Sequence, residues 1–381
     1  MYSLFRRDVM TIWQQVELQN RLIHYREIFQ GKRLPRYKLA RLFYVPFDNY
    51  EDKNELMSIH EHYHSKFVKW LKEKQTQPLE EIEREVFSNI TEEEIEQNNY
   101  LKLKSELLNN MLSACEFCEN KCKTNRSEGK VGKCGVDGEA YVSSAFIHMG
   151  EESPIIPSGT IFFYGCTINC QFCQNWDISH TFDLDRLKGR GTSAEQLADM
   201  FYSLVKQNAR NINFVGGEPT PNLHKIVEAL LISQVDVPML WNSNMYLTET
   251  SMKLISDLFD IWLPDMKYSN NECSLKYSKA PTYWETLQRN MKMIENRGSG
   301  EYIIRHLVMP AHVKCCSIPL LDWINENLET PLVNIMSQYH PDYRVLQTDK
   351  FPEIGRKVTT GEMHEVRSHA DKLGLFWKSV S

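Results

Sequence analysis

From residue 160 onward, six short apolar runs alternate with six helical patterns, and nothing else in the 381 residues constrains the fold as tightly. The runs are TIFFYGC, NINFVGG, VPMLWNSN, FDIWLPDMKY, YIIRHLVMP and PLVNIMSQYH. Short, nearly continuous apolar runs suit strands buried on both faces. The stretches between them carry helical spacing, as in Leu197, Met200, Phe201, Leu204 and Val205 behind a Thr192-x-x-Glu195 capping box. Alternation of this kind predicts an α/β fold with a parallel sheet and helices outside it. Six units over residues 159–381 make a partial βα barrel, whose reactive side chains belong at the C-terminal ends of the strands.

The rest of the chain has a different character. Residues 1–110 are rich in Glu, Lys, Gln and Leu and read as a helical N-terminal extension. Residues 111–158 form a Cys-, Gly- and Lys-rich module suited to being held by metal rather than by an apolar core. A net charge of −6 argues against a general nucleic-acid-binding surface. No run of eighteen apolar residues predicts a membrane span, and the start lacks a signal-like apolar region, so a cytoplasmic protein is expected.

In such a chain ten cysteines point to metal more than to disulfides. Cys166, Cys170 and Cys173 follow the first apolar run directly. Three thiolates on a cubane cluster leave one iron open to a further ligand. A structural zinc loop would need a fourth ligand, for which His180 is the nearby choice. Upstream, Cys115, Cys118, Cys122 and Cys134 supply four thiolates, enough to close a zinc site or to hold a complete cluster. Arg126 in that loop is placed to offset cluster charge, to contact substrate, or to sit in solvent. Cys273, Cys315 and Cys316 lie apart and read as ordinary thiols. His60-Glu61-His62-Tyr63-His64 satisfies the zinc-protease pattern H-E-x-x-H. It falls in the helical extension without an obvious third ligand, so it reads as a solvated helix face.

The C-x3-C-x2-C loop with Phe172 before its last cysteine, followed one strand later by Gly216-Gly217-Glu218-Pro219, resembles the radical S-adenosylmethionine (SAM) superfamily. Over residues 112–375 the chain resembles its branch of pyruvate formate-lyase-activating-enzyme-like iron–sulfur proteins. The shared stretches include IHMGEESPI, GTIFFYGCTINCQFCQNWDIS, DIWLPDMKY, IRHLVMP, NIMSQYHPDY and PEIGRKVT. One departure is that relatives commonly carry Thr-Pro-Thr-His where this chain has Gly-Gly-Glu-Pro-Thr.

The resemblance implies a barrel of radical SAM type with a [4Fe–4S] cluster on Cys166, Cys170 and Cys173, and SAM at the open iron. It implies that Phe172 lies by the adenine and that Gly216, Gly217, Glu218 and Pro219 meet the methionyl amino group. By motif, Asp265 and Tyr339 join the cofactor site, and Lys267, Arg305 and His340 are the candidate catalytic residues. The implied reaction is reductive cleavage of SAM to a 5′-deoxyadenosyl radical that abstracts hydrogen from a substrate, in true activases a protein glycine. Radical modification of a small metabolite, a peptide or RNA is the alternative. A non-catalytic iron–sulfur or zinc scaffold, or an electron-transfer protein using no SAM, is the rival from another class. Similar upstream cysteines in the branch imply a second [4Fe–4S] cluster, with zinc as the alternative. A low-potential electron donor of flavodoxin or ferredoxin type is the implied partner, while the substrate stays unnamed.

Overall fold

The computed structural model describes residues 8–48, 52–297 and 300–381. Its frame is a sheet of seven strands in chain order. They are β1 (Val142–His148), β2 (Ser158–Phe163), β3 (Ile212–Gly216), β4 (Met239–Ser243), β5 (Ile261–Pro264), β6 (Glu301–Leu307) and β7 (Leu332–Met336). Strands β2 to β7 run parallel, and β1 pairs antiparallel with β2 at the edge. Residues 142–148, expected to be part of the metal-held module, thus belong to the sheet. The middle of β1 is exposed, as suits an edge strand, and its polar VSSAFIH sequence hides it from a search for apolar runs.

Helices Ala194–Lys206, Leu223–Ile232, Glu249–Ile255, Tyr283–Asn296 and Ile318–Asn327 fall between successive parallel strands, and Thr360–Leu373 follows β7. The first is capped by Ser193 with Gln196, one residue later than the Thr192–Glu195 box expected from the sequence. Side chains alternate along each strand. Ile161, Phe163, Phe214, Trp241, Trp262, Ile304 and Val333 point to the helices and form the main core. Leu240, Ile261, Leu263, Ile303 and Leu332 point to the inner face. There they pack against Ile12, Leu18, Leu22, Tyr25, Ile155 and Val380 in a second core. The first helices of the chain therefore plug the floor of the sheet.

The N-terminal segment is fixed at the sheet's lower edge by buried carboxylates. Glu301 accepts from His24 N (2.8 Å) and Tyr25 N (3.0 Å), amides at a helix start that lack intrahelical partners. Asp260 likewise accepts from Arg36 N at 3.0 Å and Met239 N at 2.8 Å. Beyond that edge, helices Arg36–Leu42, Lys53–Lys74 and Tyr100–Asn110 add Leu39, Phe67 and Leu107 to the main core.

The H-E-x-x-H segment lies in helix Lys53–Lys74, and its reading as a solvated face is corrected. His60 is completely buried, with Nε2 3.1 Å from Tyr100 Oη and 2.9 Å from Lys104 Nζ. His64 Nδ1 lies 3.0 Å from Asp257 Oδ2, and Lys104 Nζ lies 2.8 Å from Asp257 Oδ1. The pattern is a polar seam that docks the helix on the barrel.

Candidate active site

Strand β2 delivers the chain at Tyr164-Gly165 into the three-cysteine loop. Gly165 sits at φ +89°, and a Cβ there would come 2.8 Å from Cys134 O. Cys166 N donates to Cys134 O at 3.1 Å, so the loop rests directly on the upstream cysteine module.

Cys166, Cys170 and Cys173 line a cavity of about 440 Å³ at the C-terminal ends of the parallel strands. Phe162, Ile168, Phe172, Val215, Leu307 and Met336 make its apolar wall. Each thiol has a polar neighbour that the sequence did not single out. Asn244 Nδ2 is 3.7 Å from Cys166 Sγ, Ser278 Oγ is 3.0 Å from Cys170 Sγ, and Ser179 Oγ is 3.7 Å from Cys173 Sγ. Burial raises all three thiols, that of Cys170 to about 11. Beside them, Asn242 Nδ2 is a buried donor with no partner. Three converging thiols and an orphaned donor fit a cluster ligated at three irons with a polar ligand beside it.

Gly216, Gly217 and Glu218 line the same cavity, and their geometry shows why these residue types are needed. Gly216, at φ +126°, abuts the backbone of Phe163. A Cβ on Gly217 would strike Gly165 O and come 2.8 Å from Ser179 Oγ, so it would point into the cluster loop. Glu218 Oε1 accepts from Thr220 Oγ1 (2.5 Å) and Ser243 Oγ (2.6 Å), while Oε2 accepts from Asn244 N (2.9 Å). Burial raises this carboxyl, and its bonds tie the end of β3 to the end of β4. Pro219 is outside the cavity lining, at the head of the turn Thr220–Asn222.

Asp265 and Lys267, at the end of β5, form an ion pair at 2.7 Å on the cavity wall. Burial alone would lower Lys267, but Asp265 and the Cys170 thiol hold it above its ordinary value. Arg305 of β6 is clamped by two carboxylates absent from the sequence-based set, Glu151 Oε2 (2.7 Å) and Glu152 Oε1 (2.9 Å). Asn213 of β3 donates to Glu151 at 3.1 Å, and Asn334 of β7 donates to Glu152 at 2.7 Å. Burial would raise Glu151, but Arg305 and His148 hold it down at about 2, while burial raises Glu152. One arginine facing two carboxyls forms a polar layer between the apolar floor and the cavity.

Tyr339 and His340 do not line the cavity. Tyr339 is buried behind Phe172, ring centroids 5.4 Å apart, and donates to Ile354 O at 2.7 Å. The His340 side chain is 44% exposed and lies 3.8 Å from Asp342. His180 does reach the cavity, where burial lowers its imidazole to about 4 and its Nε2 has no partner.

Behind the loop, Cys115, Cys118, Cys122 and Cys134 surround a small void with Arg126, Thr167 and Pro221. Arg126 is buried, donating to Asp137 O (2.6 Å) and Pro221 O (2.7 Å) with Nη1 3.6 Å from Cys115 Sγ. It is therefore no solvated arginine, and the thiols hold its charge up against the cost of burial. Asn120 Nδ2 bridges the two cysteine sets, 3.6 Å from Cys118 Sγ and 2.6 Å from Thr167 O.

Residues 160–316 match the family described as the Radical SAM superfamily. A sheet of parallel strands with three cysteines after its first parallel strand is the frame of that class, and the chain belongs to it. An uncharacterized protein of Methanocaldococcus jannaschii, MJ0674, is 40% identical over 280 residues, which cover 73% of this chain and 80% of that protein. Among solved structures, Streptococcus suis SuiB bound to precursor peptide SuiA is similar with a TM-score of 0.42 at 12% identity, covering 56% of this chain and 46% of that one. SuiB bound to S-adenosylmethionine gives a TM-score of 0.39 at 13% identity, covering 55% and 45%. Superfamily membership implies a [4Fe–4S] cluster and SAM cleavage. Among the described residues, no helix is long and apolar enough to cross a membrane.

Proposed function

We propose that this protein uses a SAM-derived radical to abstract hydrogen from a substrate delivered through the cavity mouth, with a glycine of a partner protein as the leading target. The observation that carries the reading is one cavity shared by Cys166, Cys170 and Cys173 with the glycines ending β3 and the Asp265–Lys267 pair ending β5. When bound and reduced, the cluster supplies the electron that splits SAM into methionine and a 5′-deoxyadenosyl radical.

The chain's own residues bind and orient. Backbone oxygens at Gly216 and Gly217 suit an ammonium, and Lys267 suits a carboxylate at charge-assisted distance. Phe172, held from behind by Tyr339, offers a face to a planar base. Arg305 acts through its carboxylate clamp as a positioning residue beneath the ligand, and His340 is assigned to the rim, two residues from the lining Gln338. At about 440 Å³ the cavity is at the lower end of the ~300–1,000 Å³ range of small-molecule sites, so one cofactor molecule would fill most of it. That favours a substrate reaching in from outside, as a peptide segment does. The Cys115, Cys118, Cys122 and Cys134 set is proposed to hold a second [4Fe–4S] cluster, since Asn120 and the Cys134–Cys166 backbone bond join it to the first.

Anaerobically reconstituted protein is expected to show a reduced-cluster EPR signal that changes with SAM, and to form 5′-deoxyadenosine under reduction. Ala at all three of Cys166, Cys170 and Cys173 should abolish that product. Iron should be about eight per chain, falling to about four when the upstream four cysteines are replaced. Zinc in place of the missing iron would overturn the second cluster. A new glycyl-radical signal in a partner protein would establish the activase role, whereas deuterium transfer from a small metabolite instead would reject it.

A further inference from the structure

Cys273, Cys315 and Cys316, read from the sequence as unrelated thiols, converge in the fold. Helix Asn271–Ser278 brings in Cys273 at its first turn, and the segment after β6 brings His312, Cys315 and Cys316. The donor atoms of Cys273, His312 and Cys315 all lie within 4.8 Å of one another. The sulfurs of Cys315 and Cys316 are 3.9 Å apart. Tetrahedral zinc with sulfur bonds of about 2.3 Å has ligand edges of ~3.8 Å, so the spacing suits a single ion.

The surroundings are built for coordination. His312 Nδ1 lies 2.8 Å from Pro310 O, an arrangement that puts the proton on Nδ1 and leaves the Nε2 lone pair free. A backbone carbonyl on the far nitrogen is the usual support of a metal-bound histidine. The ring is further fixed edge-on by Tyr277, 4.9 Å between centroids. Cys315 and Cys316 sit on a π-helical turn, Val313–Ser317, entered through Ala311 at φ +64°. Such turns are rare and concentrate at functional sites. Asn270 stitches both sides together. Its Oδ1 accepts from Cys273 N at 2.8 Å, and its Nδ2 donates to Cys315 O at 2.8 Å and lies 3.5 Å from Cys316 Sγ.

We propose that Cys273, His312 and Cys315 bind one Zn²⁺ as its three protein ligands, and that this ion pins helix Asn271–Ser278 where it supports the cluster loop. The other end of that helix makes the consequence concrete. Ser278 O accepts from Asn169 N and Tyr277 O from Gln171 N, both at 2.7 Å, and Ser278 Oγ lies 3.0 Å from Cys170 Sγ. At 1.5 Å per residue, the helix carries the restraint from Cys273 about 7 Å to the residues that hold the three-cysteine loop. Zinc binding stands on its own geometry. Only the effect on the loop rests on the iron–sulfur reading, so the two are measured separately.

The test compares metal content of the full-length protein with that of Cys273→Ser, His312→Gln and Cys315→Ser. Each variant should lose about one zinc per chain relative to the parent. The unmodified protein provides a second measurement that needs no variant. Alkylation of Cys315, which is exposed, should be roughly ten-fold slower with one equivalent of Zn²⁺ than after chelation, because a bound thiolate reacts only when released. Unchanged zinc in the variants, metal-independent alkylation, or a Cys273–Cys316 disulfide in zinc-treated protein would overturn the site. With zinc lost, iron should leave the cluster several-fold faster under a chelator. An unchanged iron-release rate would overturn the pinning role.

Discussion

At the scale of single residues, the charges around Arg305 are the most consequential for the cavity. Its guanidinium, on the cavity wall, is held by the buried carboxylates of Glu151 and Glu152, with asparagines from β3 and β7 completing the layer. Removing one partner of a buried ion pair costs about 3–5 kcal/mol, because the remaining charge is left unpaired. Arg305→Ala should therefore lower stability by that order in urea unfolding, and adding Glu151→Gln and Glu152→Gln should restore much of it. Normal stability with lost SAM binding would instead make Arg305 a ligand contact. Gly217 makes a second residue-scale case. Because its missing Cβ faces Gly165 O, Gly217→Ala should displace the cluster loop. The expected result is a protein that folds but takes up much less iron on reconstitution. Full iron loading with weakened SAM binding would show that the residue faces the ligand. Lys267→Ala should cost on the order of 1.5–3 kcal/mol in SAM affinity, if its bonds to the ligand are charge-assisted, as measured by equilibrium binding.

At the scale of elements, the seam between helix Lys53–Lys74 and the barrel makes stability depend on pH. Burial lowers the His60 imidazole from 6.5 to about 3. The unfolded chain takes up a proton there below pH 6.5, which the folded chain cannot do until about pH 3. Stability is therefore lost as the pH falls through that window, by on the order of 2–3 kcal/mol at pH 4.5. Glu301 works in the opposite sense. Raised by burial to about 7, it adds stability as the pH falls from 7 towards 4.5, so the raw profile mixes both effects. The difference between parent and His60→Gln removes the Glu301 contribution. His60→Gln should lose less stability than the parent between pH 6.5 and 4.5. Equal losses would mean that His60 protonates in the folded chain.

The same elements show what the sequence can reveal. Strands β2 to β7 were legible because strands buried on both faces become unbroken apolar runs, and the two cysteine sets were legible because the thiols of each lie close together in the chain. Four features were not: β1, whose exposed face breaks the apolar signal; the Glu151–Glu152 clamp; the His60 seam; and the Cys273–His312–Cys315 convergence. The last three join segments far apart in the chain, so no local periodicity records them. The sequence places Gly217 at the cofactor cavity, but only the structure shows that its missing Cβ faces the cluster loop.

At the scale of the whole molecule, the N-terminal helices and the barrel share their cores. Leu18, Leu22 and Tyr25 fill the floor beneath Leu240, Leu263, Ile303 and Leu332, and these strand residues lie one inward position below Asn242, Asp265, Arg305 and Asn334. Floor, polar layer and cavity are thus successive layers of one packed stack. Interiors are close-packed, so a void in the floor is not absorbed locally. Leu22→Ala should cost about 2–5 kcal/mol, and Leu263→Ala, in the same buried cluster, a similar amount. Their effects should be less than additive in the double variant if the two side chains share one void. A shared core also sets the form of unfolding. Calorimetry should give a single transition for the full chain, lowered as a whole by either substitution, with loss of helical signal coinciding with exposure of the barrel tryptophans Trp241 and Trp262. An early transition that melted the N-terminal helices and left those tryptophans buried would mean that the extension is a separate domain merely resting on the barrel.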